Sequence, residues 1–236
     1  MSQYYFPLSL EEHKSRMITY NIAGSKCYRH WLGCPRTNEK YTDVIFELTS
    51  YLIGLAATRF EYCEIGPCGG RWTFAVLKIL EEHGFPIITN LHFVGSQIEF
   101  EMTKNDTLRH WSSRVRTYKT PGMITTLGTL ISEINSRFYE YDFLNAKVPT
   151  FVDRFDLMVS FDFLPCLNNS QIKRVGKFVG SNMRNRSFAM LQLRKDQLEI
   201  IAETLYSFNV EYVCCLNSKL NDNTVYVTFN KKGTSQ

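Results

Sequence analysis

The sequence predicts an α/β protein with a mostly parallel sheet, helices on both faces and an antiparallel last strand. Three observations lead to this prediction. Short apolar strand segments alternate with amphipathic helical segments along most of the chain, which is typical of parallel strands joined by crossover helices. A glycine-rich turn follows the first strand and opens a helix. The last two strand segments are joined by a short polar turn, so we expect them to form an antiparallel hairpin.

Composition and length fit one globular domain with a sizeable core. The 236 residues include 44% hydrophobic and 21% charged residues, which argues against bulk disorder, a collagen-like repeat or a small disulfide scaffold. The net charge of +4 is too mild to indicate nucleic acid by itself. No signal peptide or membrane-spanning segment is expected. Seven cysteines without a C-x-x-C pair favour a reduced, cytoplasmic protein.

The elements follow from hydrophobic spacing and from turn residues. Residues 1–38, interrupted by proline and glycine, are predicted to form an N-terminal extension, and residues 39–236 the main domain. Apolar residues at helical spacing predict a helix over 39–58, and a further helix over 72–83 ends at Gly84. The other predicted helices are 126–135, 170–179 and 196–207. The predicted strands are 61–65, 91–95, 138–143, 155–161, 188–193, 210–216 and 224–230.

The glycine-rich turn is the predicted ligand site. Residues 64–72 have the sequence E-I-G-P-C-G-G-R-W. Glycines there permit positive φ angles and close backbone approach, and the following helix presents free N–H groups. Open α/β sheets bind ligands at the carboxyl ends of their strands. A G-K-[ST] sequence and G-x-G-x-x-G spacing are both missing, so neither a P-loop nor the dinucleotide fingerprint is present, and a tight turn without a ligand is the alternative.

These elements, in this order, resemble the class I S-adenosylmethionine (SAM) methyltransferases. In that family an acidic residue ends the first strand two residues before the first glycine, as Glu64 and Gly66 do. Y-D-F at 141–143 follows the third strand, and F-D-L-M-V-S-F-D-F-L-P at 155–165 is similar to the fourth strand and its catalytic-side loop. The resemblance covers roughly residues 40–232. It implies a Rossmann-like methyltransferase sheet, an enzyme, and SAM as the cofactor.

The resemblance also implies a set of cofactor contacts. The glycine turn would hold the methionine side of SAM, Gln97 would face the ribose and Asp142 the adenine. The full implied set is Glu64, Gly66, Pro67, Gly69, Gly70, Gln97, Asp142, Phe143 and Ser160. Two positions depart from the family pattern, because Cys68 stands at the usual second glycine and Gln97 at the usual acidic residue.

Two further segments resemble RNA methyltransferases. G-G-R-W-T at 69–73 is similar to the glycine turn of FtsJ-like RNA 2′-O-methyltransferases, and E-K-Y-T-D-V at 39–44 resembles the coronavirus-type enzymes. Their Lys-Asp-Lys-Glu tetrad would place Lys40 and Asp162 as catalytic residues, with Asp162 one residue late. The third and fourth members are missing, which disfavours classical 2′-O methylation. Guanine-N7 methylation, which needs no general base, and small-molecule methylation stay open.

Two basic segments support RNA as the partner. Residues 104–119 contain five Lys or Arg, and residues 171–195 contain seven and no acid, which suits phosphate contacts. A solvated helix face is the alternative. The leading hypothesis is therefore an RNA methyltransferase, with viral cap methylation implied by resemblance alone. A small-molecule methyltransferase and a degenerate binding or scaffold protein are the alternatives; a protein partner is left open and no membrane is expected.

One cluster has metal-ligand spacing. Cys27, His30 and Cys34 form C-x-x-H-x-x-x-C, which with a fourth ligand is compatible with structural zinc. No second close pair accompanies it, so no metal site is predicted.

Overall fold

The computed structural model describes residues 41–54, 59–67, 72–73, 76, 87–95, 135–140, 155–219 and 221–233. Within these residues, seven strands form one sheet. The strands are β1 (Arg59–Ile65), β2 (Ile87–Gly95), β3 (Asn135–Glu140), β4 (Phe155–Ser160), β5 (Met183–Arg194), β6 (Val210–Asn217) and β7 (Thr224–Lys231). The helices are α1 (Thr42–Gly54), α2 (Asn169–Asn182) and α3 (Leu198–Tyr206), and 3-10 turns lie at Leu164–Cys166 and Lys195–Gln197.

The sheet has the strand order β3-β2-β1-β4-β5-β7-β6. Strands β1 to β5 pair in parallel, whereas β7 runs antiparallel to both β5 and β6. The predicted fold class is therefore confirmed, including the antiparallel last strand. Because β1 lies between β2 and β4, the direction of chain progression reverses there. This is the topological switch point, where open α/β sheets bind their ligands.

Each face of the sheet has its own buried core. One face packs against α2 and α3, with Ile172, Phe178 and Leu205 among the buried helical residues. The opposite face packs against α1 and against Trp72 and Val76. The central strands β1 and β4 are largely buried on both faces, as expected for parallel strands that are covered by helices, whereas β6 has exposed residues.

Three strands differ by three residues or more from the predicted boundaries, and the first of them, β2, begins at Ile87 rather than 91. β3 begins at Asn135 rather than 138 and ends at Glu140 rather than 143. Asn135, which was predicted to be the last residue of a helix, is therefore the first residue of a strand. Its polar first residues pair with β2, and this pairing outweighs their weak local preference. β5 begins at Met183, well before the predicted 188. Its first residues include polar and exposed positions, which the apolar pattern did not mark as a strand.

The cysteines depart in part from the expectation of a fully reduced protein. Cys63, Cys214 and Cys215 are free. Cys166 is disulfide-bonded, and its partner lies outside the described residues. Among the helices of the described ranges, none is long and apolar enough to cross a membrane.

Candidate functional site

The candidate site lies where the carboxyl ends of β1 and β4 meet. Five of the residues predicted for the site are described, and the structure brings them together here: Glu64, Gly66, Pro67, Ser160 and Asp162. The hydroxyl of Ser160 donates to the backbone oxygen of Ile65 at 2.8 Å. This hydrogen bond joins the carboxyl end of β4 to that of β1, so Ser160 fixes the two strand ends relative to each other.

Glu64 is buried and bonded within the protein. Its Oε2 atom accepts hydrogen bonds from the Thr73 backbone N–H, at 3.1 Å, and from the Thr73 hydroxyl. The Tyr62 hydroxyl donates to the same oxygen at 3.4 Å. Burial, followed by the proximity of the Glu64 carboxylate, raises the pKa of Tyr62, so its hydroxyl stays a neutral donor. Glu64 therefore links the end of β1 to the helical residue Thr73 beyond the glycine turn.

Gly66 adopts a conformation that other residues rarely reach. Its φ is +67° and its N–H donates to the Val94 oxygen at 2.8 Å. A Cβ atom built on Gly66 would lie 2.3 Å from Cγ of Phe163, far inside van der Waals contact. The prediction that glycine is needed here for positive φ and close approach is confirmed.

Asp162 lies in the loop after β4 and also has a positive φ, of 63°. Its backbone N–H donates to the side-chain oxygen of Gln192 on β5. The Trp72 indole N–H donates to its carboxylate oxygen Oδ2 at 3.4 Å. Trp72 is itself buried and packs on the ring of Phe161, with centroids 4.0 Å apart. The Asp162 carboxylate thus contacts the residue that follows the β1 turn.

Gln192 lies on β5, the strand where the tetrad would place its second lysine. It is buried, and its amide donates toward the Tyr226 hydroxyl at 3.4 Å. Its side-chain oxygen accepts the hydrogen bond from the Asp162 backbone N–H, so Gln192 fixes the loop that carries Asp162. β5 contains no lysine, and the assignment of Asp162 as a catalytic residue stays a prediction.

The loop that follows β4 is held by two side chains, one from the last residue of β5 and one from the 3-10 turn that follows it. Arg194 donates to the backbone oxygens of Pro165 and Leu167 at 2.6 and 3.0 Å. Gln197, which is fully buried, donates to the oxygens of Leu164 and Leu167 at 3.2 and 2.8 Å. Four hydrogen bonds to carbonyl oxygens fix the backbone of this loop.

We expect Gln197→Leu to lower the free energy of unfolding by about 1–2 kcal/mol, because it removes both donors to the loop and leaves the Arg194 N–H without the acceptor that Gln197 supplies. Urea unfolding monitored by circular dichroism measures the change. The matched control is Asp196→Ala, since this neighbouring residue is exposed and bonds only the Arg194 side chain in the described contacts. Equal stability of Gln197→Leu and the wild type would contradict the anchoring role.

The other predicted site residues lie outside the described residues. They are Lys40, Gly69, Gly70, Gln97, Asp142 and Phe143. In the sequence, Gln97 comes two residues after the end of β2 at Gly95, and Asp142 two residues after the end of β3 at Glu140. Their assignment to the cofactor stays a prediction, as does that of Cys27, His30 and Cys34 to zinc. Among the described residues, no group of three or more potential ligands is close enough to hold a metal ion.

The basic residues of segment 171–195 lie at opposite ends of strand β5 and on helix α2. Arg184, at the amino end of β5, forms an ion pair with Asp156 at 2.8 Å. Arg194, at the carboxyl end, bonds the loop carbonyls and Asp196. The exposed lysines Lys173 and Lys177 lie on α2. The segment 104–119 is outside the described residues, so RNA binding stays a prediction.

Comparison with known proteins places this geometry in a fold family. No family model and no curated protein matches the sequence. Magnesium protoporphyrin IX methyltransferase ChlM from Synechocystis, solved with bound SAM, aligns with a TM-score of 0.56 and 9% identity over 93% of this chain and 97% of that one. N-methyltransferase NodS from Bradyrhizobium japonicum, with S-adenosylhomocysteine, gives a TM-score of 0.53 and 12% identity over 82% and 88%. A SAM-dependent methyltransferase from Clostridium acetobutylicum gives 0.51 and 12% over 83% and 92%.

The chain has the class I methyltransferase fold. None of these three similar structures is described as an RNA or viral enzyme. Within the fold, the described part of the candidate site lies at the carboxyl ends of β1 and β4, where the glycine turn that the sequence indicates begins.

Sequence reasoning missed three residues of the site. Trp72, Phe163 and Gln192 all contact predicted site residues, but each does so across a long stretch of chain. The loop sequence F-D-F-L-P had been noted, yet only its aspartate was assigned a role. The only indication in the sequence that Phe163 belongs to the site was its position next to Asp162, the predicted catalytic residue.

Proposed function

We propose that this protein is a SAM-dependent methyltransferase that binds its cofactor in the crevice between β1 and β4. The observation that supports this most is Gly66, because a glycine with positive φ at the switch point gives a ligand access to the backbone. The similarity to structures solved with SAM or S-adenosylhomocysteine supports the same cofactor. The residues on both sides are compatible with this cofactor. On the β1 side Glu64 bonds Thr73 across the glycine turn, and on the β4 side lies Asp162.

Bound SAM would supply an electrophilic methyl group on a sulfonium centre. We propose that Asp162 faces the acceptor, as an anionic hydrogen-bond acceptor for an N–H or O–H group. Gln192 fixes the backbone of Asp162 and Trp72 contacts its carboxylate, so the group is oriented before the acceptor arrives. Transfer of this methyl group would leave S-adenosylhomocysteine as the product, and the Asp162 carboxylate would hold the proton that the acceptor N–H or O–H releases.

A small molecule is the acceptor class that we favour. One of the similar structures is named as a magnesium protoporphyrin IX methyltransferase and another as an N-methyltransferase, and neither name mentions a nucleic acid. The sequence of β5, which contains no lysine, supports the same choice, because deprotonation of a ribose hydroxyl would have no lysine on this strand to assist it. An acceptor nitrogen that is uncharged at neutral pH, such as a ring nitrogen, needs no such assistance, since its lone pair is already available.

RNA is the second candidate acceptor, supported by the exposed lysines Lys173 and Lys177 on α2. A cap-type enzyme acting on guanine N7 would need no general base. The double variant Lys173→Glu/Lys177→Glu tests it with capped and uncapped RNA probes. RNA affinity that falls steeply with salt, and falls further in the variant, would favour RNA over a small molecule. A third candidate, a scaffold protein without catalysis, requires that SAM does not bind.

Calorimetric titration with S-adenosylhomocysteine tests the cofactor proposal. We expect micromolar binding by the wild type and by Gly54→Arg, and loss of binding by Gly66→Arg. Gly54 is the matched control because it is exposed at the end of α1, with nothing within 4 Å of the position that a Cβ would take. Circular dichroism shows that each variant is folded. Absence of binding by the wild type at millimolar ligand would contradict the proposal and favour the scaffold.

A further inference from the structure

Asp162 has a backbone conformation that few residues with a side chain adopt. Its φ of 63° lies in the left-handed region, which favours glycine and which aspartate reaches more easily than most other residues. A residue other than glycine stays in this region only where the surrounding contacts hold it there, and such residues concentrate at functional sites. The contacts that hold Asp162 therefore indicate which residues act together with it.

Gln192 on β5 holds the backbone of Asp162. Its side-chain oxygen accepts the hydrogen bond from the Asp162 N–H, and Gln192 itself is buried. Rotation of the Asp162 backbone out of the left-handed region would carry the N–H away from this oxygen. A buried amide oxygen would then lose its donor, which costs free energy. The bond to Gln192 therefore favours the left-handed conformation of Asp162.

Tyr226 on β7 holds the amide of Gln192 in turn. The two residues are paired directly across the antiparallel strands, so their side chains share one face of the sheet. The amide nitrogen of Gln192 donates to the Tyr226 hydroxyl at 3.4 Å. Because this nitrogen can only donate, the hydroxyl is the acceptor and the amide oxygen is directed to Asp162. Tyr226 is buried and packs on Phe161, so its hydroxyl has a fixed position.

The carboxylate of Asp162 is held from the β1 side. The Trp72 indole N–H donates to Oδ2 of Asp162 at 3.4 Å, and Trp72 is buried against Phe161. The backbone of Asp162 is therefore bonded to β5 while its carboxylate is bonded to the segment beyond the glycine turn. Since Trp72 bonds the carboxylate directly, its indole N–H reports where that carboxylate lies.

We propose that Gln192 and Tyr226 are positioning residues, which hold the Asp162 carboxylate in the direction from which it meets the acceptor. The inference rests on the proposed function, because the role of Asp162 toward the acceptor is taken from there. It adds that this direction is set from strands β5 and β7, whereas the glycine turn follows β1. A change at Gln192 or Tyr226 should therefore displace the carboxylate and leave the affinity for the cofactor unchanged.

The indole N–H signal of Trp72 in proton–nitrogen NMR spectra tests the inference without a ligand. The chain has three tryptophans, and the spectrum of Trp72→Phe assigns the signal. The wild type and Asp162→Ala define its positions with and without the carboxylate. We expect Gln192→Met, which replaces the amide by an apolar group of similar length, to move the signal to the Asp162→Ala position. Tyr226→Phe, which removes one oxygen, should move it part of the way.

Two comparisons separate positioning from a loss of stability. The matched control is Gln171→Met, because Gln171 is also buried and its side-chain oxygen also accepts a backbone N–H, that of Asn168 at 2.8 Å. This variant should be less stable than the wild type, with the Trp72 signal unmoved. The double variant Gln192→Met/Tyr226→Phe should move the signal no further than Gln192→Met does, because Tyr226 acts through Gln192.

The NMR outcomes decide the role of each residue. A signal at the wild-type position in Gln192→Met overturns the inference, as does an equal displacement in Gln171→Met. Displacements that add up in the double variant overturn the role of Tyr226. If Gln192→Met does not fold, Tyr226→Phe decides, because a signal at the wild-type position in that variant contradicts the inference.

Calorimetric titration with S-adenosylhomocysteine separates this inference from the proposed function. We expect Gln192→Met to bind the ligand as the wild type does. Weaker binding by this variant would assign Gln192 to the cofactor site and overturn its role toward the acceptor. Absence of binding by the wild type overturns the proposed function, and the role in methyl transfer with it. A wild type that binds, together with an unmoved Trp72 signal in Gln192→Met, overturns the positioning role alone.

Discussion

Replacing Gly66 with alanine is expected to lower the free energy of unfolding by about 2–5 kcal/mol. Holding a non-glycine residue near φ +67° costs about 1–2 kcal/mol, and the new methyl group would collide with Phe163. Overpacking of this kind costs about 1–3 kcal/mol. Urea unfolding of the purified protein measures the sum.

Two further variants separate the two causes. Gly54→Ala, where the added methyl group meets nothing within 4 Å, is expected to change stability little or to raise it through helix propensity. In a Phe163→Gly background, Gly66→Ala should cost less, because the whole Phe163 side chain, its Cβ included, is then missing beside the new methyl group and only the backbone strain is left. Equal costs of Gly66→Ala in both backgrounds would show that the collision with Phe163 contributes nothing.

The sheet could be predicted from the sequence because its strands are short apolar runs between clear turn residues. The hairpin of β6 and β7 was evident from the polar segment between two apolar strands. The start of β3 was not, because its first residues, Asn135 and Ser136, have little strand preference by themselves. They are in the sheet because β2 pairs with them, which is a tertiary effect that no local pattern records.

The site could be predicted only as far as local motifs reach. Glu64 and Gly66 are two residues apart, so a single short motif in the sequence indicated both. The partners that give them their roles lie elsewhere: Trp72 and Asp162 are 90 residues apart, and Asp162 and Gln192 are 30 apart. The resemblance indicated where Asp162 belongs, but the contact of Phe163 with Gly66 depends on how two loops meet in space.

The fold and the acceptor are separate questions, because one methyltransferase scaffold serves many acceptors. At 9–12% identity, the similar structures establish the architecture alone. The described residues that bear on the acceptor are Asp162 and Gln192, which the structure joins by a hydrogen bond, and Gln192 lies on a strand without lysine. Both can be altered by single substitutions.

Replacing Glu64 with alanine is expected to lower the free energy of unfolding by about 3 kcal/mol and to weaken S-adenosylhomocysteine binding. The substitution leaves the buried N–H of Thr73 without the carboxylate oxygen it bonds, which costs about 1–3 kcal/mol. It also leaves a void beside Tyr62, which adds a cavity cost. Chemical unfolding and calorimetry measure the two effects.

The conservative variant distinguishes a positioning role from simple loss of stability. Glu64→Gln keeps an oxygen that can accept from Thr73, so we expect it to recover most of the stability and of the ligand affinity. Glu203→Ala, at an exposed carboxylate on α3, should leave both unchanged. If Glu64→Gln is as stable as the wild type yet binds no ligand, the charge of Glu64 acts on the cofactor itself. If it is stable and binds normally, Glu64 acts by holding the helix beyond the glycine turn in place, as its hydrogen bonds to Thr73 indicate.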